Sequence, residues 1–355
     1  MPNIVKRVLK SLIKAVARRP FFKRILRLVI DEEIVRDIYS LNTQMLSTEQ
    51  YSADTEISEA AVHKQTALKA FNELDDFVNK YELLDTGKLT PMEFLHSYYI
   101  SIEDFISLFG QHPPDCDPFS EEYRAWEISF FDFLAGKTYS YKNEGYHFNL
   151  TEWLRRPPTT RWDMNTRINH YKSYADFLNV VRPSSEMKIL EMGCGFGELL
   201  EVLGRCGCEV FGIEASSFNK EYSDAVLKAQ KINANIIQGS FFDISLFNVE
   251  FDIVIFEASF HHCTEPLRLM SILHETTTPD CRVFFYNEPI SSNFDRAWGV
   301  VRYDGESMYQ IRKNGWIEFG YRIDFFSELL SRTGFMLKKA FPMHNGTDLY
   351  EVVKK

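Results

Sequence analysis

The chain has 355 residues, 45% of them hydrophobic and 25% charged, a balance that suits a globular protein with an ample core and excludes a disordered chain. Its net charge of −10 hides an asymmetry, because residues 1–30 hold nine of the 40 basic side chains and no acid. The rest is strongly acidic, which argues against a nucleic-acid partner. Six cysteines show no C-x-x-C pair and no regular framework, so they are expected to be reduced thiols of a cytoplasmic protein. Cys206 and Cys208 lack a second pair at zinc spacing, and no metal site is expected.

At about 100° per residue, Lys6, Arg7, Lys10, Lys14 and Arg18 fall on one helical face and Val5, Val8, Leu9, Leu12, Ile13 and Val16 on the other. A second short pattern follows Pro20. Charges interrupt the segment too often for a bilayer span or a secretory signal. It suits a basic amphipathic helix lying in an anionic membrane interface, placing the protein on the cytoplasmic face of a membrane. Docking on an acidic protein surface and a mitochondrial transit peptide are the alternatives.

Residues 31–160 repeat apolar side chains at three- and four-residue spacing, separated by breakers such as "HPPDCDP" and "RRPPTT". This is an accessory helical region with no chemistry of its own. From 161 to 355 the rhythm changes to short apolar strands alternating with helices: "KILEM", "EVFGIE", "ANIIQ", "DIVIFE", "RVFFY", then "FMLKKAF" and "LYEVVKK". That alternation predicts an α/β domain with a doubly wound, mostly parallel seven-stranded Rossmann-like sheet and an antiparallel hairpin at its C-terminal edge.

In such a sheet ligands lie outside the carboxyl ends of the strands, and "KILEMGCGFGE" puts Gly193, Gly195 and Gly197 in the first strand-to-helix turn. Glu214 ends the second strand, where a carboxylate meets ribose hydroxyls. The spacing is G-x-G-x-G, with Glu198 where a dinucleotide site has its third glycine. Glu191 adds a negative charge that repels pyrophosphate and attracts an amino group.

These residues resemble the class I S-adenosylmethionine-dependent methyltransferases. "LEMGCGFGE" is similar to the first motif of that family, "FGIEAS" to its second-strand end, "QGSFFDI" to its third-strand loop and "FDIVIFEASFHHC" to its fourth-strand motif. The resemblance implies S-adenosylmethionine as cofactor, with Glu191, Gly193, Gly195 and Gly197 at the methionyl part and Glu214 at the ribose. It further implies Ser240 and Phe241 beside the adenine and Glu257 beside the sulfonium. "TTTPDCRVFF" departs from the Pro-Gly-Gly turn of many relatives. A nicotinamide-dependent oxidoreductase and an inactive membrane-bound scaffold remain alternatives on the same fold.

Methyl transfer to a hydroxyl calls for a general base, and His261, His262 and Glu288 are the candidates, with His344 behind them. Residues 286–321 exceed what a strand-to-helix link requires. Their Trp298, Arg302, Arg312 and Trp316 are expected to bind the acceptor. With the basic N-terminus, this segment gives the chain a looser similarity to bacterial methyltransferases of cell-surface polysaccharide and glycolipid assembly. A small-molecule, glycan or lipid-linked sugar acceptor, methylated on oxygen, is the resulting expectation.

Overall fold

A computed structural model describes residues 65–82, 91–145, 148–155 and 164–355. The basic segment 1–30 and the helical pattern of residues 31–64 lie outside the described residues. Residues 65–355 form one compact unit.

Its first part holds β1 (Thr66–Leu68), α1 (Phe71–Glu82), α2 (Pro91–His96), β2 (Tyr98–Ile100), α3 (Ile102–Phe109), α4 (Glu121–Ala135), α5 (Leu150–Arg155) and α6 (Met164–Val181). The helical expectation needs one correction, because Thr66–Leu68 pairs in parallel with Tyr98–Ile100. "SYYIS" favours extended backbone through its aromatic and β-branched residues. α4 is set by its ends: Ser120 accepts from the Tyr123 amide, and Gly136 closes the helix in the left-handed conformation.

The second part runs β3 (Lys188–Met192), α7 (Glu198–Arg205), β4 (Glu209–Glu214), α8 (Ser217–Ala229), β5 (Ala234–Gln238), β6 (Ile253–Glu257), α9 (Pro266–Thr276) and β7 (Arg282–Tyr286). It continues with β8 (Ile290–Ser291), β9 (Trp298–Gly299), α10 (Gly305–Tyr309), β10 (Gly320–Arg322), α11 (Ile323–Arg332), β11 (Phe335–Pro342) and β12 (Asp348–Lys354). The main sheet has seven strands in the order β11-β12-β7-β6-β3-β4-β5, and β12 alone opposes its neighbours. This is the doubly wound architecture expected, with one refinement. β12 lies inside the sheet and β11 forms the edge. The burial pattern explains it: Leu349 to Val352 are all buried, whereas Lys338, Lys339 and Ala340 are exposed, and lysines on an outer strand discourage pairing with another chain.

Because β3 pairs with both β4 and β6, the strand order reverses there, and a crevice opens beyond the ends of β3, β4 and β6. One face of the sheet packs against α6, α7 and α8 through Phe177, Leu200, Leu203 and Ile253. The other merges with the first part in one continuous core that joins Phe77, Phe105 and Phe130 to Phe256, Phe285 and Tyr321.

Residues 286–321 are the seam of that core. Trp298 is 2% exposed, donates from Nε1 to the Pro118 carbonyl at 2.8 Å, and packs against Tyr123 and Phe325. Glu127 on α4 is fully buried, and accepts from Arg296 Nε at 2.9 Å and from the Val300 amide at 3.0 Å. Arg312 reaches Asp75 at 2.7 Å and the Leu134 carbonyl at 3.1 Å. Trp298 and Arg312 therefore hold helices to the sheet, which corrects their expected place in an acceptor site.

Candidate active site

A cavity of about 810 Å³ lies at the crevice. Its floor is the glycine turn. Gly193, Gly195 and Gly197 all have positive φ, 77°, 50° and 74°. Gly195 shows why the residue type matters there: a Cβ would meet no atom within 4 Å, so it would project into open space that the backbone alone now borders. Gly193 and Gly195 line the cavity, whereas Gly197 starts α7 behind it and faces Ser223.

Glu214 ends β4 at the cavity wall and is 6% exposed. Its Oε2 accepts from the Gly195 amide at 2.8 Å, and its Oε1 from the Ser216 amide at 2.8 Å and Asn219 Nδ2 at 3.3 Å. Burial lifts its pKa to about 7, against the pull of those donors. Ser240 and Phe241 form the next part of the wall, fixed by a capping box in which the Ser240 amide donates to Asp243 at 2.7 Å.

Glu191 and Glu257 do not line the cavity. They lie behind the glycine turn, toward Tyr174 and His170 of α6. Burial raises Glu191 well above the carboxylate range, with Glu257 and Glu214 adding to the shift. Burial likewise brings Glu257 to about 7. Glu191 Oε2 is buried without a hydrogen-bond partner among the described residues. Such an orphaned acceptor suits a cationic group. Together with the open cradle at Gly195 and the diol-sized carboxylate at Glu214, it fits a cofactor carrying an amino group and a ribose.

The far end of the cavity holds His262, Trp316, Tyr139, Tyr141 and Glu144. His262 Nδ1 lies 3.1 Å from Glu144 Oε2. Burial pulls the imidazolium down, but Glu144, then Glu318 and Glu288, push it up to about 9. His261 points away from the cavity. Its Nδ1 is 2.9 Å from Glu288 Oε2, and burial followed by the neighbouring His262 lowers its pKa to about 4. Glu288 also accepts from the backbone amides of Ser259, Phe260 and His261, at 2.7, 2.8 and 3.1 Å. Burial would raise it, yet His261 and these amides hold it below the ordinary carboxylate value. Glu288 thus shapes the turn that presents His262, and neither it nor His261 lines the cavity. Arg302 is bound to Glu318 at 2.7 Å and His344 to Asp176 at 2.7 Å, both outside the cavity wall. Of the four expected acceptor residues, Trp316 alone lines it, with Nε1 donating to the Asn143 carbonyl at 2.7 Å.

Sequence reasoning missed the wall built by Tyr139, Tyr141 and Glu144. Gly145 carries the one local signal: it has φ 111°, and a Cβ there would collide with the Ser216 side chain. That close approach seats the 139–145 segment on the loop after β4. The Ile317 amide donates to Glu144 Oε1 at 3.0 Å and fixes the carboxylate from the other side.

Residues 166–340 match the family model described as a methyltransferase domain. The chain is 29% identical over 117 residues to an uncharacterized methyltransferase of Oceanobacillus iheyensis, covering 32% of this chain and 53% of that protein. It is 24% identical over 167 residues to one from Staphylococcus carnosus, covering 46% and 78%. The chain thus spans about half the length of the first of these relatives. Among solved structures, a Synechocystis magnesium protoporphyrin IX methyltransferase with bound SAH is similar at 14% identity and a TM-score of 0.41, over 53% of this chain and 84% of that one. A Pyrococcus horikoshii protein is similar at 18% identity and a TM-score of 0.43, over 59% and 100%. S-adenosylmethionine is the methyl donor that goes with the matched domain.

Proposed function

We propose that this chain, whose residues 166–340 belong to the methyltransferase domain family, transfers a methyl group from S-adenosylmethionine to a hydroxyl of a small-molecule or sugar-bearing acceptor. One observation carries the reading: a single cavity joins Gly193, Gly195 and Glu214 to the His262–Glu144 pair and three aromatic side chains. The cofactor supplies an activated methyl on sulfur. The glycine turn and Glu214 hold and orient it, while Glu191 lies behind that turn, with its Oε2, unpartnered among the described residues, outside the cavity wall.

At the other end, Trp316, Tyr139 and Tyr141 present aromatic surface suited to a ring with apolar faces, and Glu144 and His262 meet its hydroxyls. As the C–O bond forms, the C–S electron pair remains on sulfur and the hydroxyl proton must leave. His262 is placed to take it once neutral, with the Glu144 carboxylate 3.1 Å from its Nδ1. A cation brought into the same cavity opposes the charge on His262 and favours that neutral state. Alignment in a confined site supplies much of the remaining rate.

Incubation with labelled S-adenosylmethionine and a panel of hydroxylated glycans, glycolipid intermediates and aromatic alcohols tests the reading. Label on an acceptor oxygen supports it. Absence of S-adenosylhomocysteine binding, or label transferred only to nitrogen, refutes it. The basic residues 1–30 support a peripheral position on an anionic membrane, where a lipid-linked acceptor would be met.

A further inference from the structure

We propose that His261, His262 and Glu318 bind a divalent transition-metal ion of the Zn2+ class at the acceptor end of the cavity. One ligand atom from each lies within 4.8 Å of the others. His261 and Glu318 are buried, while His262 faces the cavity.

The proton positions make the case. Glu288 accepts three backbone N–H bonds and the His261 Nδ1 contact at 2.9 Å. A carboxylate in that setting only accepts, so the ring proton sits on Nδ1 and the Nε2 lone pair points away. That lone pair faces Glu318 Oε2 at 3.7 Å. Two acceptors confronting one another in a buried site are unfavourable; Arg302 and His262 offset the charge of Glu318, but neither lies between its Oε2 and the His261 Nε2 lone pair, which a proton or a metal ion would fill. Arg302 Nη1 donates to the same oxygen at 2.7 Å, which occupies one of its lone pairs and leaves the other for an ion. Ligands at roughly 2.0–2.2 Å from one zinc ion stand at most about 4.3 Å apart; the His261–Glu318 gap of 3.7 Å falls inside that reach, and the 4.8 Å span of the full set closes with a small side-chain adjustment of His262 at the cavity wall.

The surroundings fit a metal centre as well. A carboxylate on the outer nitrogen of a ligating histidine fixes its tautomer and raises its basicity. Glu288 stands so for His261, and Glu144 lies 3.1 Å from Nδ1 of His262. Two imidazoles and one carboxylate favour Zn2+, Co2+ or Ni2+ over Mg2+ or Ca2+. Three protein ligands leave a coordination position, and His262 directs it to the cavity. There the ion would take the acceptor hydroxyl and lower its pKa, so that with the ion bound the proton leaves to water, in place of His262, before the oxygen attacks the methyl carbon. That role rests on the methyl-transfer reading; ion binding does not.

The full-length protein, stripped with a chelator, is titrated with Zn2+ by calorimetry and with Co2+ by visible absorption. One equivalent of ion and a tetrahedral Co2+ spectrum are expected. Glu318→Gln and His262→Asn should each abolish both signals, and Glu288→Gln should weaken binding about 10–100-fold. Cys206→Ser should leave binding intact. Should Glu318→Gln melt early, His262→Asn, at the cavity wall, decides. No bound ion in the wild type, binding that survives in His262→Asn, or loss with Cys206→Ser overturns the site; the first of these means that a proton fills the gap. S-adenosylhomocysteine affinity on the same samples separates the two ideas. Cofactor bound without an ion removes the metal site alone, and an ion bound without cofactor removes the methyl-transfer role alone.

Discussion

Glu214→Gln is the sharpest perturbation of the cofactor end. The amide keeps the volume of the carboxylate but is neutral and accepts through one oxygen only, so the ribose hydroxyls lose a charged partner. A hydrogen bond to a charged group contributes about 1.5–3 kcal/mol, which at about 1.4 kcal/mol per decade is a loss of roughly 10- to 150-fold. Burial sets the Glu214 pKa at about 7, so the wild type offers the carboxylate fully at about pH 8 and only a tenth of the time at about pH 6. Calorimetry with S-adenosylhomocysteine should therefore show the full gap at the higher pH and a narrower one at the lower.

Folding gives the control. A pKa raised from 4.5 to about 7 means stability that is fully present below about pH 4.5 and lost as pH rises to about 7. Glu214→Gln removes that loss but sets an NH2 against the Gly195 or Ser216 amide, so a melt at each pH confirms that the variant is folded before affinities are compared. Equal affinities at the higher pH, with both proteins folded, refute the assignment of Glu214 to the cofactor.

The remaining expectations concern the acceptor end and the N-terminus. Trp298→Ala should cost about 3–5 kcal/mol of stability, since a buried ring leaves a cavity, whereas Trp316→Phe should keep the fold and raise the acceptor KM; thermal melts and kinetics on both variants check this, and a stable Trp298→Ala would contradict the seam. Without a bound ion, Glu144→Gln should lower the His262 pKa from about 9 by about 1–3 units, the scale of one nearby opposite charge, and shift the rising limb of the kcat/KM pH profile to lower pH. The same pair stabilises the fold fully below about pH 6.5 and loses that contribution as pH rises through about 9, so the variant's melting temperature should be flatter across that window; an unmoved limb and an unchanged melting profile would remove Glu144 from this role. Deleting residues 1–30 should abolish sedimentation with anionic vesicles, an attraction that salt screens over about 8 Å, and leave cofactor affinity as it was; equal sedimentation of both forms would rule out the membrane role.

Most of the sheet was legible because β3, β6 and β7 are short apolar runs buried on both faces, which leaves little choice of residue. Gly195 and Glu214 were legible for a related reason: the turn after the first strand and the end of the second must face the crevice. The acceptor end was not. Tyr139 and Glu144 reach the cavity only because Gly145 lets their loop sit on Ser216 and Ile317 donates to Glu144, contacts 70 to 170 residues apart that no local pattern records. Trp298 and Arg312 misled for the opposite reason. Aromatic and charged side chains in a long connection suggest recognition, but here they carry a buried seam whose partners, Pro118 and Asp75, lie far upstream.

The loop of residues 139–145 has a further consequence for how such a protein can change over generations. It belongs to the stretch before the sheet and, among the described residues, meets the cofactor side where Gly145 sits against Ser216 and Asn219. Substitutions at Tyr139 or Tyr141 can therefore alter what the cavity admits without disturbing the glycine turn or Glu214. On the proposed reading, donor binding and acceptor choice are carried by separate segments, so exchanging this loop should change the acceptor while leaving S-adenosylhomocysteine affinity as it was.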